Sequence, residues 1–149
     1  MTTKPLCVVV DIDGTVANND HRQHHVQKKP KKWHLFNATM HLDTAHQDVV
    51  DLVKYLQKDF PIVFCSGRGE EEREVTEKWL REVAGFETWA ALHMRGAGDH
   101  RDDSIIKSEL LDIILETFQV WFALDDRQRV VEMWRARGIR CLQVAPGDF

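Results

Sequence analysis

Short apolar runs alternate along the chain with longer segments in which apolar residues recur at helical spacing. The apolar runs predict strands at residues 6–10, 62–65, 89–94, 120–124 and 139–144. The spaced apolar positions predict helices over residues 49–56, 70–84, 102–115 and 127–137. Strands and helices in alternation are typical of parallel sheets. The pattern therefore predicts an α/β fold, with a mostly parallel five-stranded sheet and helices on both of its faces.

One segment, residues 16–46, interrupts this alternation. From Asn18 to Pro30 it is polar and rich in histidine and lysine, which predicts a loop or flap, and apolar anchors from Trp33 to Leu42 predict a short helix. The chain has 149 residues and a hydrophobic fraction of 43%. Both values suit one domain with its own core. We therefore expect a single domain over residues 1–149, with a small flap or cap after the first strand.

The overall charge and the cysteines exclude several classes of protein. The net charge of −4 argues against a polycation, so any affinity for nucleic acid must come from a local patch. No apolar stretch is long enough to span a bilayer, and Asp11 and Asp13 interrupt the first apolar run too early for a signal peptide. Cys7, Cys65 and Cys141 include no C-x-x-C pair, which predicts buried, reduced thiols. We expect a cytoplasmic protein without a membrane partner.

The first strand ends in two aspartates, Asp11 and Asp13, followed by Gly14 and Thr15. Residues two apart in an extended chain project to the same side, so we expect both carboxylates to face one small volume. That volume lies beyond the carboxyl end of the strand, where open parallel sheets bind ligands. Two carboxylates held together repel each other unless a cation or a proton relieves them. The pair therefore indicates a metal site and acid–base chemistry, and the alternative is a solvated acidic turn.

Two further stretches are typical of phosphate binding. Ser66, Gly67 and Arg68 follow the second strand, where a hydroxyl group and backbone N–H groups before a helix suit an anion. Lys107 lies in the first turns of the next predicted helix and can reach inward to neutralise phosphate charge. Taken singly, the first stretch is also compatible with a plain turn, and Lys107 with a solvated side chain.

A second acidic pair, Asp125 and Asp126, ends the fourth predicted strand. Carboxylate oxygens are the ligands that Mg²⁺ prefers in proteins, with water and phosphate completing its coordination. The alternative for Asp126 is a plain cap of the helix that follows it. Together with the first pair, these residues predict an oxygen-only magnesium site.

The order of these elements is more informative than any one of them. Asp-x-Asp-Gly-Thr, Ser-Gly-Arg, a lysine and Asp-Asp follow one another along the chain, and three of the four stand after predicted strands. This arrangement resembles the haloacid dehalogenase superfamily of phosphohydrolases over most of the chain. The resemblance implies the Rossmann-like fold of that superfamily, an Mg²⁺ cofactor and phosphoryl transfer to a carboxylate.

By this resemblance, Asp11 is the nucleophile that forms an aspartyl-phosphate, while Asp13 protonates the leaving oxygen and then activates water. The residues implied to bind the phosphoryl group are Ser66, Gly67, Arg68 and Lys107. The implied Mg²⁺ ligands are Asp11, Asp13, Asp125 and Asp126. An acid that works near neutral pH needs a raised pKa, and we expect nearby negative charge to raise the pKa of Asp13.

Three stretches resemble the 3′-phosphatase domain of phage polynucleotide kinase/phosphatase. They are residues 95–103 leading to Lys107, residues 124–135 and residues 141–149. This resemblance implies that Arg22 and Arg95 assist the phosphate and that Arg127 is a further substrate contact. The kinase half of the phage enzyme has no counterpart in this sequence, so we expect no kinase domain in this chain.

The predicted flap carries a basic stretch next to an aromatic residue. This stretch consists of Lys28, Lys29, Lys31, Lys32 and Trp33. Lysines can follow a nucleic-acid backbone while an aromatic ring stacks on a base. The alternative is a solvated loop with Trp33 packed on the body of the domain. His21, His24 and His25 offer a second possible metal site, but the donors elsewhere are all oxygens.

Three functions are compatible with these features. The first is an Mg²⁺-dependent phosphohydrolase that removes 3′-terminal phosphate from polynucleotide ends. The second is a phosphatase of the same fold that acts on mononucleotides or other small phosphate monoesters. The third is a binding module without turnover, which the intact set of acidic residues and lysine disfavours. The tail and the stretch from Arg95 to Lys107 favour the first function, and the choice of DNA or RNA and the oligomeric state stay open.

Overall fold

The computed structural model describes residues 3–149. Its strands are β1 (Leu6–Val10), β2 (Ala17–Asn18), β3 (Thr44–Ala45), β4 (Ile62–Gly69), β5 (Ala91–Arg95), β6 (Gln119–Asp125) and β7 (Cys141–Gln143). Its α-helices are α1 (His24–Gln27), α2 (Trp33–Ala38), α3 (Gln47–Gln57), α4 (Arg73–Glu82), α5 (Asp103–Thr117) and α6 (Gln128–Ala136). Short 3₁₀ turns lie at Asp20–Arg22, Met40–Leu42 and Glu70–Glu72. The predicted α/β fold is confirmed.

Five of the strands form one parallel sheet in the order β5–β4–β1–β6–β7. Strand β1 lies at the centre, and its residues Val8, Val9 and Val10 are at most 1% exposed. Its continuous apolar run is the pattern expected of a strand that is covered on both faces. Because parallel strands end at the same edge, the carboxyl ends of β4, β1 and β6 lie side by side.

Successive residues of β1 project into two separate cores. Val8 and Val10 pack with side chains of α3 and α4, whereas Cys7 and Val9 pack with side chains of α5 and α6. This division follows from the two-residue period of a strand. Helices therefore cover both faces of the sheet, as the sequence predicted.

Residues 17–45 leave the sheet and return to it. Strands β2 and β3 pair antiparallel, with Ala17 opposite Ala45, and close this segment at its base. The stretch from Asn18 to Pro30 that predicts a loop contains one 3₁₀ turn and helix α1, and the predicted short helix corresponds to α2, which a second 3₁₀ turn follows. Val26, Phe36 and Met40 are buried within it, so scattered apolar anchors hold these turns without a periodic pattern. We call residues 17–45 the flap.

Two predicted boundaries differ from the structure by three residues or more. The residues before Arg73 form a 3₁₀ turn, so α4 is shorter than the predicted helix over residues 70–84. Strand β4 continues past Cys65 because it keeps pairing with β5 across an irregularity between Ser66 and Gly69. Such pairing joins segments far apart in sequence, and local periodicity does not report it.

Over residues 3–149, every helix is too short or too polar to cross a bilayer.

The three cysteines are free thiols in the core, as predicted. Burial raises the pKa of Cys7, Cys65 and Cys141 to about 12. Because the thiolate is the reactive form, we expect the native protein near pH 8 to react with a disulfide reagent at least ~100-fold more slowly than the guanidinium-unfolded chain. Absorbance of the released thiolate measures both rates. Rapid reaction of any thiol in the native protein would contradict this burial.

Candidate active site

Polar residues converge where β1, β4 and β6 end. Asp11 follows β1, Ser66 lies near the end of β4, and Asp125 ends β6. Lys107 reaches the same place from α5. All four residues are buried, with at most 5% of their surface exposed. The topology of the sheet thus joins side chains that are far apart in the sequence.

Three carboxylates and one lysine form the centre of this site. Asp11, Asp125 and Asp126 each offer an oxygen within 4.8 Å of the others. Lys107 Nζ donates to Asp11 Oδ1 at 2.7 Å and to Asp125 Oδ2 at 2.9 Å. Lys107 is therefore not a solvated side chain. Asp125 Oδ1, and not Asp126, accepts a backbone N–H at the start of α6, so Asp126 is not merely a helix cap. We call these four residues the carboxylate–lysine cluster.

Two buried donors orient these carboxylates. Thr15 Oγ1 donates to Asp11 Oδ2 at 2.8 Å, and Trp134 Nε1 donates to Asp125 Oδ2 at 3.1 Å. Thr15 belongs to the Asp-x-Asp-Gly-Thr pattern, although the sequence analysis assigned it no role. Trp134 lies on α6, and no local pattern connected it with the site. Both residues limit the positions that the carboxylates can take.

Burial and repulsion control the charge of the carboxylate–lysine cluster. Burial and then the charge of Asp125 raise the pKa of Asp11 well above its usual range. The same two causes raise the pKa of Asp126 to about 7. Burial alone would lower the pKa of Lys107, but Asp11 and Asp125 outweigh it and raise that pKa. Lys107 is therefore a permanent ammonium, which alone does not balance three carboxylates.

The donor set of this cluster fits a divalent cation. Three ionised carboxylates beside one ammonium leave two negative charges without a counter-charge, which equals the charge of one Mg²⁺. All the donors are hard carboxylate oxygens, which Mg²⁺ prefers over nitrogen or sulfur. Burial first and repulsion from Asp125 second raise the pKa values of Asp11 and Asp126, and such a cation would relieve the repulsion.

Asp13 lies outside the carboxylate–lysine cluster, between two arginines. Arg22 Nη2 and Arg68 Nη2 donate to Asp13 Oδ1 at 2.5 and 2.7 Å. The chain turns directly after β1, where the N–H of Ala17 donates to the carbonyl of Ile12, so strand alternation does not extend to Asp13. The predicted metal ligand Asp13 is therefore not among the carboxylates close enough to share a metal with Asp11, although its charge still reaches Asp126.

The structure also reverses the predicted charge state of Asp13. Burial would raise its pKa, but the charges and hydrogen bonds of Arg68 and Arg22 outweigh burial and hold the pKa well below its usual range. Sequence reasoning expected neighbouring negative charge to raise this pKa, because it could not place two guanidinium groups against the carboxylate. In this arrangement Asp13 is ionised and ready to accept a proton.

The residues from Ser66 to Arg68 turn beside the carboxylate–lysine cluster. Ser66 Oγ accepts the N–H of Arg68 at 3.1 Å, which leaves its hydroxyl proton available for another acceptor. A Cβ on Gly67 would lie 2.6 Å from Asp103 Oδ1, so a side chain at this position would displace the Asp103 carboxylate. The guanidinium of Arg68 contacts Asp13 and, at 3.0 Å, Thr76 Oγ1. Arg68 therefore reaches the site through Asp13.

Asp103 joins two of the arginines that the sequence singled out. Arg95 Nη2 donates to Asp103 Oδ1, and Arg127 Nη1 donates to Asp103 Oδ2 at 2.7 Å. The sequence assigned Asp103 no role in the site, and the residue that caps α5 is Asp102. Asp103 precedes Lys107 by four residues, so both occupy the same face of α5, and that spacing was the available signal.

The tail sequence packs directly on the second acidic pair. A Cβ on Gly147 would lie 2.3 Å from the carbonyl oxygen of Asp126, and the Gly147 carbonyl accepts the N–H of Gln128 at 2.9 Å. Arg127 Nε donates to a main-chain oxygen of Phe149 at 2.9 Å, with the guanidinium 4.8 Å from the centre of the Phe149 ring. The tail thus supports the segment that carries Asp125 and Asp126.

Trp33 projects from the flap next to Arg127. The centre of its ring lies 5.8 Å from the Arg127 guanidinium and 5.7 Å from Lys31 Nζ. Phe36 packs edge-on against the same ring, at 5.5 Å between ring centres. Trp33 is nevertheless 40% exposed, so it is neither free in solution nor buried in the body.

The basic residues of the flap differ in their surroundings. Lys28, Lys29 and Lys32 are exposed, whereas Lys31 is half-buried. Partial burial, followed by the charges of Arg127 and Arg129, lowers the pKa of Lys31. Positive groups of the flap and of the β6–α6 connection therefore lie close together. Lys29, Lys31, Arg127 and Arg129 are the members of this basic patch.

The histidines of the flap do not form a comparable metal site. His21 Nε2 lies 2.8 Å from Asp43 Oδ1, while the rings of His24 and His25 lie 3.9 Å apart. Within residues 3–149, one group of three or more histidines, cysteines or acids is close enough to share a metal. That group is Asp11, Asp125 and Asp126. The structure therefore favours the oxygen-only site.

The sequence matches a known family along nearly its whole length. The family model described as the polynucleotide kinase PNKP phosphatase domain matches residues 5–149. The match includes every residue of the carboxylate–lysine cluster, Asp13 and the flap.

Several solved structures are similar to this chain. One, described as the structure of a Pnkp1/Rnl/Hen1 complex, is 34% identical with a TM-score of 0.83, and the match covers 100% of this chain and 49% of that chain. Another, the Pnkp1/Rnl/Hen1 RNA repair complex, is 33% identical with a TM-score of 0.81, covering 98% of this chain and 44% of that chain. This chain spans about half the length of these relatives. A class C acid phosphatase from Bacillus anthracis with tungstate bound shares the fold at 19% identity, with a TM-score of 0.73 and coverage of 98% and 68%.

The contact between Gly14 and Asp126 yields a test of the metal site. Gly14 has a φ of +83°, and a Cβ there would lie 2.0 Å from Asp126 Oδ2. Gly138 has a φ of +78° with open space around it, so Gly138→Ala is a matched control for backbone strain. We expect both variants to lose about 1–2 kcal/mol of stability to the left-handed backbone, and Gly14→Ala to lose more.

Thermal unfolding with and without Mg²⁺ separates the two effects. We expect saturating Mg²⁺ to raise the Tm of the parent and of Gly138→Ala, because a ligand that binds the folded state stabilises it. Gly14→Ala should lose this increase, since the added methyl group displaces Asp126. An equal increase in both variants would show that Asp126 does not contribute to the metal site.

Proposed function

Because the chain belongs to the polynucleotide kinase PNKP phosphatase-domain family, we propose that it removes 3′-terminal phosphate from polynucleotides through an aspartyl-phosphate on Asp11. The observation that carries this proposal is the environment of the Asp11 carboxylate. Thr15 and Lys107 fix one oxygen each, and Asp125 and Asp126 lie within 4.8 Å. These contacts fix the direction from which the Asp11 carboxylate would attack a phosphate.

Mg²⁺ is the cofactor that the donor set fits, and Asp11, Asp125 and Asp126 would hold it. The bound cation would supply positive charge that keeps Asp11 ionised and attracts phosphate oxygens. Without such charge the raised pKa of Asp11 favours its protonated form, which is not a nucleophile. The cation and Lys107 together would thus offset the repulsion between the nucleophile and the phosphate.

In the first half of the reaction, an Asp11 oxygen attacks phosphorus, and the bond between phosphorus and the 3′-oxygen breaks. The ammonium of Lys107 and the hydroxyl of Ser66 stabilise the charge on the transferring group. Asp13 gives a proton to the leaving 3′-oxygen. Because the arginines keep Asp13 ionised in the structure, it must first gain that proton, and the negative charge of an arriving phosphate favours this uptake.

In the second half, water attacks the phosphorus of the aspartyl-phosphate. Asp13, now a carboxylate again, accepts the proton of that water, the bond between Asp11 and phosphorus breaks, and inorganic phosphate leaves. The low pKa of Asp13 ensures that it is ionised for this step. Asp11 returns to its starting state.

Two features outside the carboxylate–lysine cluster favour a polymeric substrate. The basic patch brings the positive charge of flap lysines together with Arg127 and Arg129, and partial burial followed by repulsion from these groups lowers the pKa of Lys31. Neighbouring backbone phosphates would relieve that repulsion. The exposed part of Trp33 offers a surface on which a base can stack. A small phosphate monoester would use neither feature. Since one solved relative belongs to an RNA repair complex, we include RNA among the polymers to be tested.

Asp11→Asn tests the nucleophile. The amide is nearly isosteric but not nucleophilic, so we expect turnover of a 3′-phosphorylated oligonucleotide to fall by roughly 10⁴-fold or more, with the Tm little changed. Asp112→Asn is the matched control, because Asp112 pairs with Arg137 on an exposed surface and should retain full activity. Turnover of Asp11→Asn at the rate of this control would exclude Asp11 as the nucleophile.

The substrate class is tested with 3′-phosphorylated and 5′-phosphorylated oligonucleotides of DNA and RNA, a mononucleotide and a small aryl phosphate, all with Mg²⁺. We expect the highest kcat/KM for the 3′-phosphorylated polymer. Its logarithm should fall with the logarithm of salt concentration by about 0.7 for each backbone phosphate contacted. Higher kcat/KM for the mononucleotide would instead support the small-monoester phosphatase.

The flap lysines provide the matched variant for this salt dependence. Replacing Lys28, Lys29, Lys31 and Lys32 with serine should flatten the salt dependence and raise KM for the oligonucleotide, but spare kcat on the aryl phosphate. The control replaces the four lysines outside the flap and the carboxylate–lysine cluster, namely Lys4, Lys54, Lys58 and Lys78. Both variants change the net charge equally, so identical salt dependence would show that the flap lysines do not contact the substrate.

A further inference from the structure

Asp43 is a buried acid at the base of the flap to which the sequence assigned no role. It directly precedes β3, and its side chain has no exposed surface. Its main-chain carbonyl accepts a hydrogen bond from Trp79 Nε1 of α4 at 2.8 Å, which anchors this position to the body of the domain. A fully buried carboxylate requires charged partners, because desolvation of an isolated charge is costly.

Two of the partners of Asp43 are the arginines that hold Asp13. Arg22 Nε donates to Asp43 Oδ1 at 2.8 Å and Arg22 Nη2 donates to Asp43 Oδ2 at 2.6 Å, which is a two-point contact. His21 Nε2 lies 2.8 Å from Asp43 Oδ1, and Arg68 Nη2 lies 3.5 Å from Asp43 Oδ2. The carboxylate of Asp43 thus touches both arginines that hold Asp13.

Arg22 links the two carboxylates directly. Its Nη2 donates to Asp43 Oδ2 and also, at 2.5 Å, to Asp13 Oδ1. Its remaining terminal nitrogen donates to the carbonyl of Phe36 at 3.0 Å, and the guanidinium lies 4.2 Å from the centre of the Phe36 ring. Each nitrogen of the guanidinium has a hydrogen-bond partner, and Arg22 has no exposed surface. Because the guanidinium of Arg22 is planar and rigid, a shift of the Asp43 carboxylate would move the Nη2 group that holds Asp13.

From this chain of contacts we propose that Asp43 is a positioning residue, which holds Arg22 and so fixes the Asp13 carboxylate in the orientation needed for proton transfer. Asp43 does not touch the reacting atoms. The Asp13 side chain retains 23% exposure, and it is the member of this network that faces the substrate space. Asp43 also balances the second positive charge of the two arginines, so the network carries no net charge when all four groups are ionised.

This inference rests on the proposed function, because it assigns Asp13 the transfer of a proton to the leaving oxygen. The reaction itself supplies the discriminating measurement. A 3′-hydroxyl is a poor leaving group and needs that proton, whereas a nitrophenolate leaves without it. Loss of the Asp13 orientation should therefore slow the first substrate and spare the second. A loss of folded protein would slow both equally.

The test compares Asp43→Asn with the parent in single-turnover experiments with excess enzyme and Mg²⁺. The measured quantity is the rate of leaving-group release, which reports cleavage of the ester bond and not the later hydrolysis of the aspartyl-phosphate. For Asp43→Asn we expect release from a 3′-phosphorylated oligonucleotide to fall by about 10–100-fold, and release from p-nitrophenyl phosphate to change by less than about 3-fold.

Trp79→Phe is the structural control, because it removes the hydrogen bond to the Asp43 main chain without touching the carboxylate. We expect it to lower the Tm and to change both rates by the same factor. If Asp43→Asn also changes both rates by one factor, the positioning role is refuted. An inactive parent would instead refute the proposed function, so the two failures are distinguishable.

Asp43→Glu decides the question if Asp43→Asn does not fold. This variant keeps the charge balance of the buried network but moves the carboxylate by one methylene. Slower leaving-group release from the oligonucleotide alone would support the positioning role. The same fold-change in release from both substrates would refute it.

Discussion

Buried negative charge at the carboxyl ends of the central strands is the constraint on which the rest of the site depends. Asp11, Asp125 and Asp126 meet at the edge of a core that excludes water, and Lys107 supplies the one ammonium among them. Burial, and then repulsion from Asp125, raises the pKa of Asp11 and Asp126. This crowding suits the cluster to a divalent cation, whose charge would balance the two negative charges that Lys107 leaves without a partner.

The second consequence of this crowding is the separation of the two motif aspartates. The turn after β1 places the Asp13 carboxylate against Arg22 and Arg68. One aspartate thus stands beside an ammonium and two acids, and the other between two guanidinium groups. Opposite surroundings give the two residues opposite pKa shifts, so the proposed reaction requires added positive charge to keep Asp11 ionised and a proton to reach Asp13. The flap contributes Arg22 to this arrangement, so it contacts Asp13 directly.

Close backbone packing maintains these positions. Gly14 and Gly147 both approach Asp126, the first at its side chain and the second at its main chain, and a Cβ at either position would collide with it. The tail residues and Arg127 then support the β6–α6 connection from outside. This packing explains why a tail that performs no chemistry has a specific sequence, since its small residue and its aromatic ring define where the acidic pair can stand.

The sequence alone determined the order of strands and helices, because hydrophobic periodicity reports which residues are buried. It also located the acidic pairs, Lys107 and Ser66, since strand ends follow from those elements. Only the tertiary structure decided the charge state of Asp13, the partners of Asp43 and the place of Asp103. The reason is that the pKa and orientation of a side chain depend on which groups surround it in space. Arg68 is 55 residues from Asp13 in the chain and 2.7 Å from it in the fold, and no local pattern contains that distance.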